Sequence, residues 1–137
     1  MKQDGQIWDV LVVGGGAAGL MAAGFAARQG AGVLVLERNA RMARKLMITG
    51  KGRCNLTNAC DMEVLFESVV TNSRFLYSAF SFFSPRDVMA LLEELGVPLK
   101  VERGNRVFPV SDRAVDIVDA LVGFARRQGA RFRQGRV

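Results

Sequence analysis

The sequence predicts an α/β fold that opens with a strand, a helix and a second, parallel strand. Residues 9–13 (DVLVV) form a short apolar run that stops at glycines, which is typical of a strand buried on both faces. Residues 17–28 are mostly Ala, Leu, Met and Phe, which favour a helix, and Gly30 is a suitable end for it. Residues 33–36 (VLVL) form a second buried strand, and a βαβ unit of this length is right-handed and parallel.

The rest of the chain is less regular. Residues 38–58 have no clear period and are predicted to form a long loop with one helical turn near residues 41–45; such loops in compact domains are usually functional. Ser84 and Ser111 are predicted to cap the two helices that follow them. The other predicted elements are helices over residues 61–70, 73–83, 85–95 and 112–128, a hairpin pairing residues 99–102 with 106–108, and a strand over residues 131–137.

Composition restricts the function classes. Half of the residues are hydrophobic, which argues against disorder, and no apolar run reaches 18 residues, so no membrane span is predicted. We find no secretory signal and only two cysteines, and we therefore expect a cytoplasmic protein. Because histidine is absent, any general acid or base from this chain has to be Asp, Glu, Lys, Cys or Tyr. We assign no catalytic residue and predict no metal site.

The net charge of +6 has two interpretations. It could indicate a nucleic-acid partner. We prefer the interpretation that the basic groups bind a diphosphate, lie on a solvated surface or face an acidic segment outside this sequence. The basic residues between Arg38 and Arg53 are interleaved with glycine and lack aromatic stacking partners, so nucleic acid is the less favoured partner.

A glycine-rich turn, residues 14–19 (GGGAAG), joins the first strand to the first helix. Gly14 permits a tight turn, Gly16 lets a pyrophosphate approach the backbone, and Gly19 lets the helix pack on the strand. The start of the helix offers free N–H groups to the phosphates. Glu37 ends the second strand at the spacing where a carboxylate accepts from ribose hydroxyls, which disfavours a 2′-phosphate. The pattern predicts a Rossmann-like dinucleotide site, with FAD and NAD both open.

The sequence contains too few strands for a complete sheet of this type. A doubly wound sheet needs several parallel strands, and only residues 9–13, 33–36 and 131–137 are candidates. We therefore expect residues 1–137 to be the first part of a longer domain, and the chain to stop inside its last strand.

A second motif follows in residues 45–58 (KLMITGKGRCNLTN). It fails as a Walker phosphate loop, because Gly50-Lys51 is followed by Gly52 and not by Ser or Thr. Its cations and short polar side chains suit a diphosphate and a ribityl chain, or equally a solvated surface loop. Composition alone leaves both interpretations open.

Residues 50–58 (GKGRCNLTN) resemble the signature of a bacterial and archaeal flavoprotein family that includes the BaiN/RdsA-like NAD(P)/FAD-dependent oxidoreductases and the aminoacetone oxidases. Arg44-Lys45 and residues 104–111 (GNRVFPVS) resemble further family motifs at the right spacing, so that the resemblance covers essentially the whole chain. Ala43 and Lys51 depart from the family, which usually has glycine at both positions. Lys51 either restricts the approach of the backbone to the cofactor or adds a cation near its phosphates.

The resemblance implies an FAD-binding fold and the N-terminal, FAD-binding part of a flavin-dependent oxidoreductase. It implies that NAD(P)H reduces the flavin, which passes electrons to a small organic substrate or to oxygen. Family chains are longer: they insert a substrate domain and then complete the flavin site, so residues 1–137 alone are expected to bind FAD weakly or not at all. The predicted cofactor contacts are Gly14, Gly16, Ala17, Ala18, Gly19, Glu37, Arg38, Arg44, Lys45, Gly50, Lys51, Gly52, Arg53, Cys54, Asn55 and Val137.

The sequence also allows two less favoured functions. Cys54 and Cys60 could form the redox pair of a disulfide reductase, but such pairs are separated by four residues and here five intervene; two reduced thiols are the favoured interpretation. The chain could also act alone as a nucleotide- or nucleic-acid-binding module without redox activity, which its positive charge favours weakly.

Overall fold

The computed structural model describes residues 5–137, which form two three-stranded sheets and six α-helices. The strands are β1 (Val10–Val13), β2 (Val33–Glu37), β3 (Thr57–Asn58), β4 (Leu99–Glu102), β5 (Arg106–Pro109) and β6 (Arg131–Gln134). The helices are α1 (Ala17–Arg28), α2 (Arg44–Ile48), α3 (Met62–Glu67), α4 (Tyr77–Phe82), α5 (Pro85–Glu94) and α6 (Ala114–Arg127). Short 3₁₀ segments cover Thr49–Gly52, Ser73–Leu76 and Arg103–Asn105.

The first sheet is parallel and has the strand order β1-β2-β6. Helices α1 and α6 pack together on one of its faces, over a core that includes Val33, Val35 and Ala125, each fully buried. Gly24 allows the close approach of these helices, because a Cβ at this position would overlap the ring of Phe124. The predicted βαβ unit and parallel sheet are confirmed.

The opposite face of this sheet is open. Leu11 and Val13 of β1 remain 58% and 68% exposed, and Arg131 and Arg133 of β6 point to the same face as exposed residues. The prediction that β1 is buried on both faces is therefore wrong, because these two side chains of the strand remain exposed. β2, between its two neighbours, is buried as predicted.

The second sheet is antiparallel, with the order β3-β5-β4. The predicted hairpin is confirmed: β4 pairs with β5 across a turn in which Gly104 has a φ of 76°. β3 adds two residues to β5, with Thr57 opposite Val107. Residues 38–58 are thus not one long loop, since they contain α2, a 3₁₀ segment and β3. β3 was not predicted, because two residues are too few to show the alternation of apolar and polar residues that indicates a strand.

The remaining helices differ in their ends from the predictions. α5 begins as predicted: Ser84 is the N-cap, Pro85 is the first helical residue, and Ser84 and Asp87 form a reciprocal capping box. Ser111 does not cap α6, which begins three residues later; its hydroxyl instead accepts from the N–H of Arg113 at 3.3 Å. The helix predicted over residues 61–70 is limited to α3, and that over residues 73–83 divides into a 3₁₀ segment and α4.

The last strand ends before the chain does. β6 stops at Gln134, so the prediction that the chain ends inside this strand is wrong. Gly135 still donates to the carbonyl of Glu37 at 2.9 Å, which holds the last three residues beside the end of β2. Residues 5–137 contain no helix with the length and apolar character that crossing a membrane requires.

Candidate functional site

A cleft of about 700 Å³ lies at the C-terminal ends of β1, β2 and β6. Open parallel sheets bind their ligands at this edge, and the volume is typical of small-molecule sites. The cleft is lined by Val13, Gly14, Gly16, Ala17, Leu36, Glu37, Arg38, Asn39, Ala43, Arg44, Lys45, Leu46, Thr49, Gly135, Arg136 and Val137.

The glycine turn forms one wall of this cleft, and each of its three motif glycines has a distinct environment. Gly14 has a φ of 100°, which favours glycine, and its N–H donates to the carbonyl of Leu36 at 2.8 Å. At Gly16 no atom lies within 4 Å of the position that a Cβ would take. At Gly19 a Cβ would overlap the carbonyl oxygen of Gly14, so glycine lets α1 lie directly on the turn.

The N-terminus of α1 opens into the cleft at Gly16 and Ala17. Gly16 is the N-cap and supplies no side-chain acceptor, and the first turn of the helix contains no acidic residue. The first N–H groups of the helix therefore have no side-chain cap, and the positive end of the helix dipole is not neutralised. This arrangement suits an anion.

Glu37 is buried, with 8% of its surface exposed, and it joins the end of β2 to the glycine turn. Its Oε2 accepts from the N–H of Gly15 at 2.8 Å, and its Oε1 accepts from the backbone and side-chain amides of Asn39 at 2.8 and 2.6 Å. The N–H groups of Asn39 and Gly15 lower the pKa of this carboxyl against the opposing effect of burial. Glu37 is therefore ionised at neutral pH. The carboxylate has about four acceptor positions, so one is left for a ligand hydroxyl.

Basic side chains line the mouth of the cleft. Arg38, Arg44, Lys45 and Arg136 all contribute to it, and among the described lining residues Glu37 is the one acid. Arg44 donates from Nη1 to the side-chain oxygen of Asn39 at 3.0 Å. The side chain of Asn39 thus links the Arg44 guanidinium to the Glu37 carboxylate. The resulting positive potential favours a polyanionic ligand such as a diphosphate.

Eight of the predicted cofactor residues do not line the cleft. Gly19 lies in the first turn of α1 and packs on the carbonyl oxygen of Gly14, and Arg53 pairs with Glu102 and Asp112. Cys54 is fully buried in the core beside α2 and α6, where burial raises the pKa of its thiol. The cofactor roles of these eight residues stay predictions: Ala18, Gly19, Gly50, Lys51, Gly52, Arg53, Cys54 and Asn55.

Comparison with known proteins identifies the family. Residues 8–136 match the family model described as "HI0933-like protein Rossmann domain". The chain belongs to this family. The match confirms both the Rossmann-like fold and the resemblance to the BaiN/RdsA-like flavoproteins.

Two curated relatives of this HI0933-like domain are enzymes. The chain is 32% identical over 126 residues to the 3-dehydro-bile acid delta(4,6)-reductase of Clostridium scindens, covering 90% of the chain and 30% of the relative. It is 30% identical over 126 residues to the ribosomal RNA dihydrouridine synthase of Escherichia coli, covering 92% and 31%. The chain thus spans less than a third of the length of these relatives.

Solved structures share the fold at low sequence identity. The 3-ketosteroid-delta4-(5alpha)-dehydrogenase of Rhodococcus jostii RHA1 matches with a TM-score of 0.66 and 20% identity, covering 96% of this chain and 39% of the dehydrogenase. THI4 of Thermovibrio ammonificans matches with a TM-score of 0.63 and 19% identity, covering 93% and 38%. These similarities show a common Rossmann-like fold.

The two departures of this HI0933-like domain from its family have a common geometry. Ala43 and Lys51, where the family resemblance leads us to expect glycine, have φ values of 54° and 58°. Both lie in the left-handed region, where a residue with a Cβ costs about 1–2 kcal/mol. The backbone bond from the N–H of Ala43 to the carbonyl of Gly15, at 2.8 Å, holds the first of them in place.

Several lining residues were not predicted. Asn39 is the most important, because it contacts both Glu37 and Arg44. The sequence signal for Asn39 is weak. An asparagine just after a strand often makes a local hydrogen bond, but the sequence does not indicate which residues it bonds to. Thr49 and Arg136 reach the cleft through tertiary packing, which no local pattern indicates.

Proposed function

We propose that this domain binds the adenosine diphosphate part of FAD for a flavin-dependent oxidoreductase. The observation that carries the proposal is the combination, in one cleft, of the open backbone at Gly16, the uncapped start of α1 and the cations Arg44 and Lys45. The unfilled space at Gly16 fits a phosphate, and no side chain has to move to admit it. The family and the fold support a flavoprotein.

Each wall of the cleft has a role in this proposal. The glycine turn and the N–H groups of α1 would hold the diphosphate, with Arg44 and Lys45 as counter-charges. Glu37 would accept from the adenosine ribose through its remaining acceptor position and would repel a 2′-phosphate. Val137 lies at the opposite side of the cleft, where its backbone would meet the adenine.

The bound flavin would take electrons from NAD(P)H and pass them to a small organic substrate or to oxygen, while the protein supplies binding and orientation. Two relatives are named for reductions: a bile acid delta(4,6)-reductase and a dihydrouridine synthase. Both names denote addition of hydrogen to a carbon–carbon double bond, and we propose this reaction class here. The substrate site would be built with further parts of the same polypeptide, in the cytoplasm.

The test uses the complete polypeptide that its gene encodes. We expect the purified protein to be yellow, with flavin absorption bands that bleach on addition of NAD(P)H. Replacing Arg44 and Lys45 by Gln should weaken FAD binding about tenfold or more, since charge-assisted contacts to a diphosphate are lost. The matched control is Arg86→Gln, whose side chain is 81% exposed and lies outside the cleft. A colourless protein that takes up no added FAD would refute the proposal.

A nucleic-acid-binding module without redox activity is the competing function. The net charge, the exposed arginines of β6 and the ribosomal RNA relative favour it. A colourless protein that binds an rRNA fragment, with an affinity that falls steeply as salt rises, would support this alternative over ours.

A further inference from the structure

Four charged side chains outside the cleft form a connected cluster that we call the charge clamp: Arg53, Lys100, Glu102 and Asp112. Arg53 donates from Nε to Oδ1 of Asp112 at 2.8 Å and also contacts Glu102 through Nη2. Lys100 contacts the same two acids, at 2.8 Å from Asp112 and 3.4 Å from Glu102. The clamp therefore ties residue 53 to β4 and to the turn after β5.

An aromatic ring strengthens this connection. The guanidinium carbon of Arg53 lies 4.1 Å from the centre of the Phe108 ring, a cation–π distance. The same ring also packs on Gly50, where a Cβ would come within 3.0 Å of it. Phe108 is itself 2% exposed, so Arg53 lies between a buried ring and two carboxylates.

The clamp holds a turn with unusual backbone geometry. Gly50, Lys51 and Gly52 all have positive φ values, of 55°, 58° and 85°. Backbone bonds close the turn on its C-terminal side, from the N–H of Cys54 to the carbonyl of Thr49 at 3.0 Å and from the N–H of Arg53 to the carbonyl of Gly50 at 3.3 Å. Lys51 is not glycine, and its left-handed backbone persists only where the surrounding structure holds it.

This turn reaches the cleft at its first residue. Thr49 lines the cleft and follows α2 directly, and α2 carries Arg44 and Lys45. A shift of the turn would therefore move the end of α2. The path from the clamp to the cleft runs through Arg53, the turn and Thr49.

We propose that Arg53 is a positioning residue that acts on the cofactor site through this turn and not by touching the cofactor. The inference rests on the proposed FAD site, and it replaces the direct contact that the sequence motif suggests for Arg53. The string at residues 50–58 then has two functions: its glycines form the turn, and its arginine fixes the turn to the hairpin.

The geometry distinguishes the clamp from an ordinary surface ion pair. The side chains of Arg53, Lys100 and Glu102 are each about one-third exposed or less, whereas both partners of the Arg86–Asp61 pair are about 80% exposed. An isolated exposed pair contributes little. A guanidinium that meets two acids and a ring at once cannot be replaced by lysine, which is a point charge on a flexible stem.

Amide hydrogen exchange, followed residue by residue, tests the clamp in the complete polypeptide. Arg53→Gln should speed exchange at the amides of Arg53 and Cys54 by about tenfold, equivalent to about 1.4 kcal/mol, with β1 and β2 unaffected. Arg53→Lys should restore only part of the protection, and Asp112→Asn should reproduce the loss. Arg86→Gln is the matched control and should change neither region. Unchanged exchange at the turn, or an equal increase throughout the protein, would overturn the inference.

Titration with FAD separates the inference from the function on which it rests. We expect Arg53→Gln to lower FAD affinity about tenfold while the urea midpoint changes little. Loss of FAD affinity with an unchanged turn would mean a direct contact and would contradict positioning. If the unmodified protein binds no FAD, the proposed function fails, and the exchange data still decide whether the clamp holds the turn. Should Arg53→Gln fail to fold, Asp112→Asn and Arg53→Lys provide the same comparison.

Discussion

The Oε2 atom of Glu37 accepts a hydrogen bond of 2.8 Å from the backbone N–H of Gly15. The acid at the end of β2 therefore holds the glycine turn as well as facing the cleft. A residue usually considered a ribose ligand has a structural role in this chain. Fold stability and the proposed ribose contact therefore depend on the same carboxylate, and experiment can separate the two effects.

Glu37→Gln should lower the free energy of unfolding at neutral pH by about 1–3 kcal/mol. The amide can accept only through one atom, so either Gly15 or Asn39 loses a partner in a buried position. Urea unfolding of both proteins measures the difference. Glu67→Gln, at an exposed position on α3, is the control and should change stability by less than about 0.5 kcal/mol. Equal stability of Glu37→Gln and the unmodified chain would contradict the structural role.

The Glu37 carboxylate also makes the stability of the fold depend on pH. The pKa of Glu37 in the folded protein lies below its ordinary value of 4.5. Its ionised form therefore stabilises the fold fully above that value, and this contribution is lost as pH falls through the folded pKa. The stability difference between the unmodified chain and Glu37→Gln should be constant at neutral pH and should shrink below about pH 4. A difference that grows in acid would give the opposite sign and refute the assignment.

Two substitutions in the glycine turn should differ in their effect: Gly19→Ala should destabilise the fold, whereas Gly16→Ala should mainly weaken FAD binding. Gly19→Ala places a Cβ against the backbone oxygen of Gly14, which cannot give way cheaply, and should cost about 3 kcal/mol or more. Gly16→Ala meets no protein atom within 4 Å and has a φ of −77°, so the fold should lose about 1 kcal/mol at most. FAD titration of Gly16→Ala should nevertheless show weaker binding. Similar urea midpoints for the two variants would show that the close packing at Gly19 is unimportant.

The thiols should be inert in the native protein. Cys54 and Cys60 are both free and buried, and burial raises the pKa of Cys54, which keeps its thiolate scarce. Mass spectrometry should find neither residue alkylated under native conditions, and both alkylated in denaturant, with and without NAD(P)H. A pair that becomes reactive only after NAD(P)H is added would instead indicate a disulfide reductase.

The parts of the fold that the sequence predicted are those with strong local signals. β1, α1 and β2 have continuous apolar runs punctuated by glycine, and Ser84 and Asp87 carry a complete capping box. β3 could not be predicted, since its two residues become a strand only by pairing with β5. Ser111 shows the limit of cap motifs. Its hydroxyl accepts from the N–H of Arg113, and α6 begins only at Ala114.

Eight of the sixteen residues predicted as cofactor contacts line the cleft, and their role there stays a prediction. The glycine turn and Glu37 are local to one βαβ unit, so their spacing sufficed. Arg53 obtains its partners from residues 102 and 112, and a motif cannot specify contacts at that separation. The motif therefore predicted a cofactor contact for Arg53 and could not show that its side chain pairs with two acids.

The pairing of β2 with β6 has a consequence for the order of events during synthesis. Leu34 is opposite Arg131, so the wall of the cleft formed by Gly135 and Val137 is synthesised about 120 residues after the glycine turn. Until then the glycine turn of the nascent chain has no opposing wall. Binding of the proposed cofactor should therefore follow the emergence of β6, and a pause in translation before that point would leave the early βαβ unit exposed to chaperones.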